Sequence, residues 1–210
     1  MLRHERKAYK AGATLVAGID EAGRGPLAGP VVAGAVILPV KFRHRTLNDS
    51  KQLTPEVREE IYVELTGNPK IHWAVGMSEV DIIDRYNILQ ATWRAMVLAL
   101  EALPVKPDHV LIDGLPVPPI RIPQTAIIDG DCKSFSIAAA SVIAKVTRDR
   151  LMVRVHEQYP QYNFAQHKGY STPEHLAALD RFGPCPIHRK TFEPVRLKNE
   201  PVQIDFIAPQ

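Results

Sequence analysis

The 210-residue chain is 45% hydrophobic and 23% charged, enough apolar material for one domain with its own core and too much for a disordered segment. Its 26 basic and 23 acidic side chains leave a formal charge of +3, which admits a nucleic-acid partner without demanding one and excludes binding by bulk charge alone. Two cysteines, Cys132 and Cys185, lack the spacing of a metal site or a disulfide framework and read as small apolar residues of a reduced, cytoplasmic protein.

The chain opens on Met1-Leu2-Arg3-His4-Glu5-Arg6-Lys7, charged where a secretory signal needs an apolar stretch. Strand text at residues 15–19 runs into Asp20 and Glu21 and then into Gly23-Arg24-Gly25. A second strand follows at 31–38, within an apolar run that Gly34 and Pro39 break and that is too short to span a membrane. The basic run Lys41-Phe42-Arg43-His44-Arg45 leads to a polar loop with Asn48 and Lys51. Periodicity predicts a helix at 55–65, a strand at 71–78, a helix at 88–103 and strands at 109–112 and 125–128. The proline-rich stretch 115–123 between the last two strands is a rigid loop. A long helix at 134–159 carries a small-residue face (Ile137, Ala140, Ser141, Ala144) suited to packing on a sheet, with Lys145, Arg148 and Asp149 on its exposed side. A last helix at 172–182 opens with a capping Thr172 before Pro173. Early hairpin strands followed by alternation with helices give an α/β domain, a mixed β-sheet flanked by helices with a helical C-terminal subdomain. The expected division is a catalytic domain at 1–160, a substrate-contacting helical region at 161–196 and a tail at 197–210.

The acidic pair carries the chemistry. Hard divalent cations take oxygen ligands and are held by one or two carboxylates plus substrate phosphate. Neighbours on a regular strand point to opposite faces, so Asp20 and Glu21 share an ion only where the strand bends, which the glycines after them would allow. Asp113 and Asp131 each follow an apolar strand in the same way, and strand ends of an open α/β sheet are where ligands collect. Singly each aspartate beside a glycine reads as a turn or cap residue. As a set the four are hard to explain in that way. None of the eight histidines forms a pair whose catalytic role follows from spacing, and His167 reads as an ordinary surface or core residue.

The run Gly18-Ile19-Asp20-Glu21-Ala22-Gly23-Arg24-Gly25-Pro26 resembles the opening signature of the bacterial ribonuclease HII family, of the ribonuclease H-like superfamily. The resemblance continues through Asn48-Asp49-Ser50-Lys51, Ile112-Asp113-Gly114, Gly130-Asp131-Cys132-Lys133-Ser134, the text of the long helix, His167-Lys168-Gly169-Tyr170 and Ile187-His188-Arg189-Lys190-Thr191-Phe192. It implies a ribonuclease H-like fold and an endoribonuclease that hydrolyses the RNA strand of RNA–DNA hybrids. It also implies nicking 5′ of ribonucleotides embedded in duplex DNA, with 3′-hydroxyl and 5′-phosphate products, by in-line attack of water with two metal ions, Mg²⁺ or Mn²⁺. Asp20, Glu21, Asp113 and Asp131 match the catalytic and metal-binding acids. Asp129 competes with Asp131 and ranks below it, because Asp131 keeps the Gly-Asp register. Discriminating RNA from DNA at one position needs contact with the 2′-hydroxyl, for which Gly23, Arg24 and Gly25 are candidates, with Tyr170 packing on the neighbouring deoxyribose. Asn48, Lys51, Lys133 and Ser134 are candidate phosphate contacts, and Arg43, Arg45, Arg189 and Lys190 divide between phosphate contact and solvated surface. The intact Gly23-Arg24-Gly25 argues against ribonuclease HIII. The alternatives are a DNA nuclease on the same fold and a non-catalytic hybrid-binding module, which four clustered acids would hinder. A monomer is expected.

Overall fold

The computed structural model describes residues 1–47 and 53–199. Asn48 and Lys51 lie outside the described residues, as does the tail beyond residue 199. Strands β1 (Val16–Ala22), β2 (Val31–Ile37), β3 (His72–Ser78), β4 (His109–Asp113) and β5 (Gln124–Ile127) form one mixed sheet in the order β3-β2-β1-β4-β5. The first three pair antiparallel, while β4 and β5 add parallel to β1. Every residue of β2 is buried, which is why it reads as an unbroken apolar run.

Two long helices close the faces. Helix α3 (Val80–Glu101) covers the side bearing Ala17, Ile19, Ala33 and Ala35. Helix α4 (Phe135–Gln158) covers the other, and glycines let it sit almost on the strands: a Cβ at Gly18 would lie 2.1 Å from the Ser136 carbonyl carbon, and one at Gly34 2.4 Å from the Ala140 oxygen. The expected small-residue face is present, but every α4 residue from Phe135 to Ala144 is buried: α2 (Pro55–Gly67) packs against the helix, and α1 (Arg3–Lys10) lies beside its start, with Ala8 near Ile137 and Glu5 bonded to Ser136.

Several helices go beyond the periodicity, two of them in the N-terminal half. Helix α1 is short and mostly charged. The first half of α3 precedes a break at Asn87 (φ +71°), whose Oδ1 accepts from the Leu89 and Gln90 N–H groups and caps the half starting at Ile88. The C-terminal third holds α5 (Phe164–His167), α6 (Pro173–Phe182) and α7 (Val195–Asn199). Its small core of Tyr162, Phe164 and Cys185 packs on Met152 of α4 and Ala28 of the β1–β2 loop. Among the described residues no helix is long and apolar enough to cross a membrane.

Candidate active site

Strand β1 continues past its expected end, through both acids to Ala22. Asp20 pairs across from Gly34 and Glu21 from Ala33, so the pair does not mark a bend, which corrects the expectation from the glycines. The two side chains leave opposite faces: Asp20 is buried on the α4 side, while Glu21 is partly exposed and lines the mouth of the site. The turn comes later, at Gly23 (φ +96°). Asp113 closes β4, and its Oδ1 accepts from the Gly130 N–H at 2.6 Å, drawing the end of β5 toward β4. Asp131 sits buried in a single 3₁₀ turn, Gly130–Cys132. Asp129 is separated from it by geometry. It adopts the left-handed conformation (φ +53°), so strand alternation ends at Ile127, and its carboxylate points to solvent 3.7 Å from Lys133 Nζ.

Burial, then the negative charges of Glu21 and Asp113, push the Asp20 carboxyl well above the usual carboxylate range, only partly offset by hydrogen bonds from Ser141 and the Glu21 N–H. Such mutual repulsion is what a bound cation relieves, and an all-oxygen donor set suits a hard divalent ion. As they stand, no three His, Cys, Asp or Glu side chains among the described residues close on one point. Cys132 is exposed and Cys185 buried, and neither belongs to this cluster.

Beside the acids lies a cavity of about 230 Å³ bordered by Glu21, Gly23, Arg24, Gly25, Lys145 and Tyr170. Its floor is the turn after β1, and two guanidinium groups with no exposure hold that turn from beneath. Arg189 donates to the carbonyls of Gly23 (2.5 Å), Arg24 (2.8 Å) and Gly29 (2.8 Å). Arg148 donates to Ala28 (3.0 Å), Pro30 (2.9 Å) and Lys168 (3.0 Å), which ties the turn to the Lys168-Gly169-Tyr170 corner. Both expectations for these arginines, a solvated helix face for Arg148 and surface or phosphate contact for Arg189, are therefore corrected. Burial, then the charge of Arg148, lowers Arg189 to about 9, which leaves it a cation at neutral pH. Gly23 has no room for a side chain, since a Cβ would stand 2.0 Å from Arg148 Nε. Gly25 differs: its φ is ordinary and a Cβ there would meet nothing within 4 Å.

Tyr170 is 42% exposed and its ring faces the Lys145 ammonium at 5.7 Å. Its backbone is held by histidines that spacing did not reveal. His188 Nδ1 accepts from the Cys185 N–H (2.9 Å), which leaves its proton on Nε2 to donate to His175 Nε2 (3.0 Å). His175 Nδ1 then donates to the Tyr170 carbonyl at 2.8 Å. Buried His167 stacks on His175, its Nε2 donating to the Tyr162 carbonyl.

Ser134 is not a phosphate contact. It is fully buried, caps α4 by accepting from the Ile137 N–H (3.2 Å) and donates to Glu5 Oε1 (2.7 Å). Lys133 remains about half exposed, with Nζ donating to the Ile128 carbonyl.

A family model described as Ribonuclease HII matches residues 17–195. The chain belongs to the ribonuclease HII family. Ribonuclease HII of Anaeromyxobacter sp. (strain Fw109-5) is 51% identical over all of this chain and 67% of its own length. That of Idiomarina loihiensis is 53% identical over 87% of this chain and 97% of its own. The fold is that of the crystal structure of ribonuclease H2 from Pyrococcus horikoshii OT3, with a TM-score of 0.74 and 30% identity over 88% of this chain and 97% of that one. Membership makes the chain an endonuclease of the ribonuclease H type, of a family that acts on RNA–DNA hybrids and depends on a divalent metal.

Proposed function

We propose that this enzyme hydrolyses the RNA strand of hybrids and nicks 5′ of single ribonucleotides embedded in duplex DNA, leaving 3′-hydroxyl and 5′-phosphate ends. One observation carries the reading. Among the described residues nothing requires glycine at position 25, neither backbone conformation nor a neighbour, yet a side chain there would fill the cavity beside the acids. A ligand that approaches the backbone closely gives the residue its purpose, and a 2′-hydroxyl beside a peptide group is such a ligand. The two buried arginines hold the turn in place before substrate arrives, so little ordering remains to be done on binding.

Asp20, Glu21, Asp113 and Asp131 would hold Mg²⁺ or Mn²⁺, which supplies an activated water and neutralises charge at the leaving oxygen. Glu21 would face the ribonucleotide, and Arg24, 3.3 Å from it, would add a cation at the scissile phosphate. Tyr170, across the same cavity, would stack on the following deoxyribose, where a hydroxyl would collide. Lys133 would contact phosphate nearby, and the enzyme would act as a monomer.

The test is an end-labelled DNA duplex with one ribonucleotide, beside an all-DNA control and a full hybrid, each incubated with Mg²⁺ and with Mn²⁺. A nick on the 5′ side of the ribonucleotide, absent from the control, is expected. Cutting of the control would instead identify a DNA nuclease on this fold.

A further inference from the structure

The excess positive charge of this chain is concentrated in one place. Helix α1 holds four of the 26 basic and one of the 23 acidic side chains, which leaves 22 of each sign elsewhere. Arg3, Arg6, Lys7 and Lys10 follow the spacing i, i+3, i+4, i+7 and so form one stripe. All four are exposed, and among the described residues none takes part in an ion pair.

The opposite side of the helix is anchored. Glu5, 3% exposed, accepts at Oε1 from Ser134 Oγ (2.7 Å), the Ser136 N–H (3.0 Å) and Ser136 Oγ (3.1 Å), while the Phe135 N–H donates to the Met1 carbonyl (3.2 Å). These partners lie three and five residues after Asp131, so the helix is anchored to the segment that follows this acid, with exposed Lys133 between them in the chain. We infer that the α1 stripe docks the phosphate backbone of the substrate duplex beyond the cleaved nucleotide, an inference that rests on the duplex reading above. Four unpaired cations on the exposed side, with Glu5 turned to the buried side, complement a polyanion, and an eight-residue helix about 12 Å long matches roughly three or four phosphates of one strand. A membrane surface is the poorer fit, because an interfacial helix needs a free apolar face and that of α1 is covered, with no large hydrophobic residue exposed on it.

The test uses the full chain with Arg3→Gln, Arg6→Gln, Lys7→Gln and Lys10→Gln together, assayed across a salt series on two ribonucleotide-containing duplexes. One extends well past the site on both sides and the other ends just beyond it. On the long duplex KM should rise roughly tenfold at moderate salt, and the dependence of log KM on log salt should flatten by about 0.9 for each phosphate no longer neutralised. The kcat and the short duplex should be unaffected. Wild-type KM and salt slope on the long duplex, or equal loss on both duplexes, would overturn the inference. So would retention of the wild type on anionic lipid vesicles with no change in duplex binding. If the fourfold variant fails to fold, Arg6→Gln with Lys7→Gln should give an intermediate slope. A wild type that cuts neither duplex sinks the substrate reading. Anisotropy of the uncut long duplex, wild type against variant, then still decides the stripe.

Discussion

Gly23 and Gly25 are two residues apart and look alike in the sequence, yet they answer to different constraints. Gly23→Ala drives a methyl group into Arg148 at a left-handed backbone position and should lower stability by about 2–3 kcal/mol, read in urea unfolding. Gly25→Ala should unfold like the wild type and lose cleavage at an embedded ribonucleotide by about 100-fold or more, the cost of a misplaced substrate. Asp20→Asn separates the same two properties in the other direction. Its raised carboxyl means that stability is lost as pH rises through the folded value, so the neutral amide should raise the metal-free midpoint by roughly 2–4 °C while abolishing activity. The acids were legible because each follows an apolar run, and Asp113 and Asp131 also adjoin glycine. The opposite facing of Asp20 and Glu21 was not, since it depended on how far β1 continued along β2. Arg148 was hidden because its acceptors lie 118, 120 and 20 residues away.

Elements here carry duties that their own residues do not announce. The two corners that face the cavity, after β1 and before α6, are held by side chains from the segment after α6: Arg189 for one, His188 through His175 for the other. Burial first, then the nearby His175, lowers His188 to about 4, and His167 and His175 are lowered too. Groups kept neutral in the fold stabilise it above their unfolded values, and that contribution is lost as pH falls toward the folded ones. The unfolding midpoint should therefore drop between about pH 6.5 and pH 4. His188→Gln should cost about 1–2 kcal/mol at neutral pH yet flatten this profile; an unchanged slope would show that the buried relay is not its source. Helix ends such as Thr172-Pro173 were readable because capping is local, and the strand text was readable because β2 is buried on both faces. Helix α1 escapes a reading by periodicity for a physical reason: eight residues with four cations have little apolar repeat, and the carboxylate that secures them binds serines 129 and 131 residues away.

At the scale of the molecule, one sheet with a long helix on each face brings acids from β1, β4 and the turn after β5 to one edge, and the C-terminal third closes over it. Arg189→Lys tests that closure. The three donors of an ammonium radiate from one nitrogen and do not reproduce the spread of the guanidinium nitrogens over the carbonyls of Gly23, Arg24 and Gly29, so a loss of about 3 kcal/mol is expected together with weaker ribonucleotide selectivity. The span of this contact has a bearing on biosynthesis. A chain leaving the ribosome from its N-terminus has its acidic strands β1 and β4 long before residue 189 emerges, and only then does Arg189 join Arg148 beneath the turn at Gly23. On the roles proposed above, the nascent polypeptide would carry its cutting residues before Arg189 completes the turn that selects what is cut.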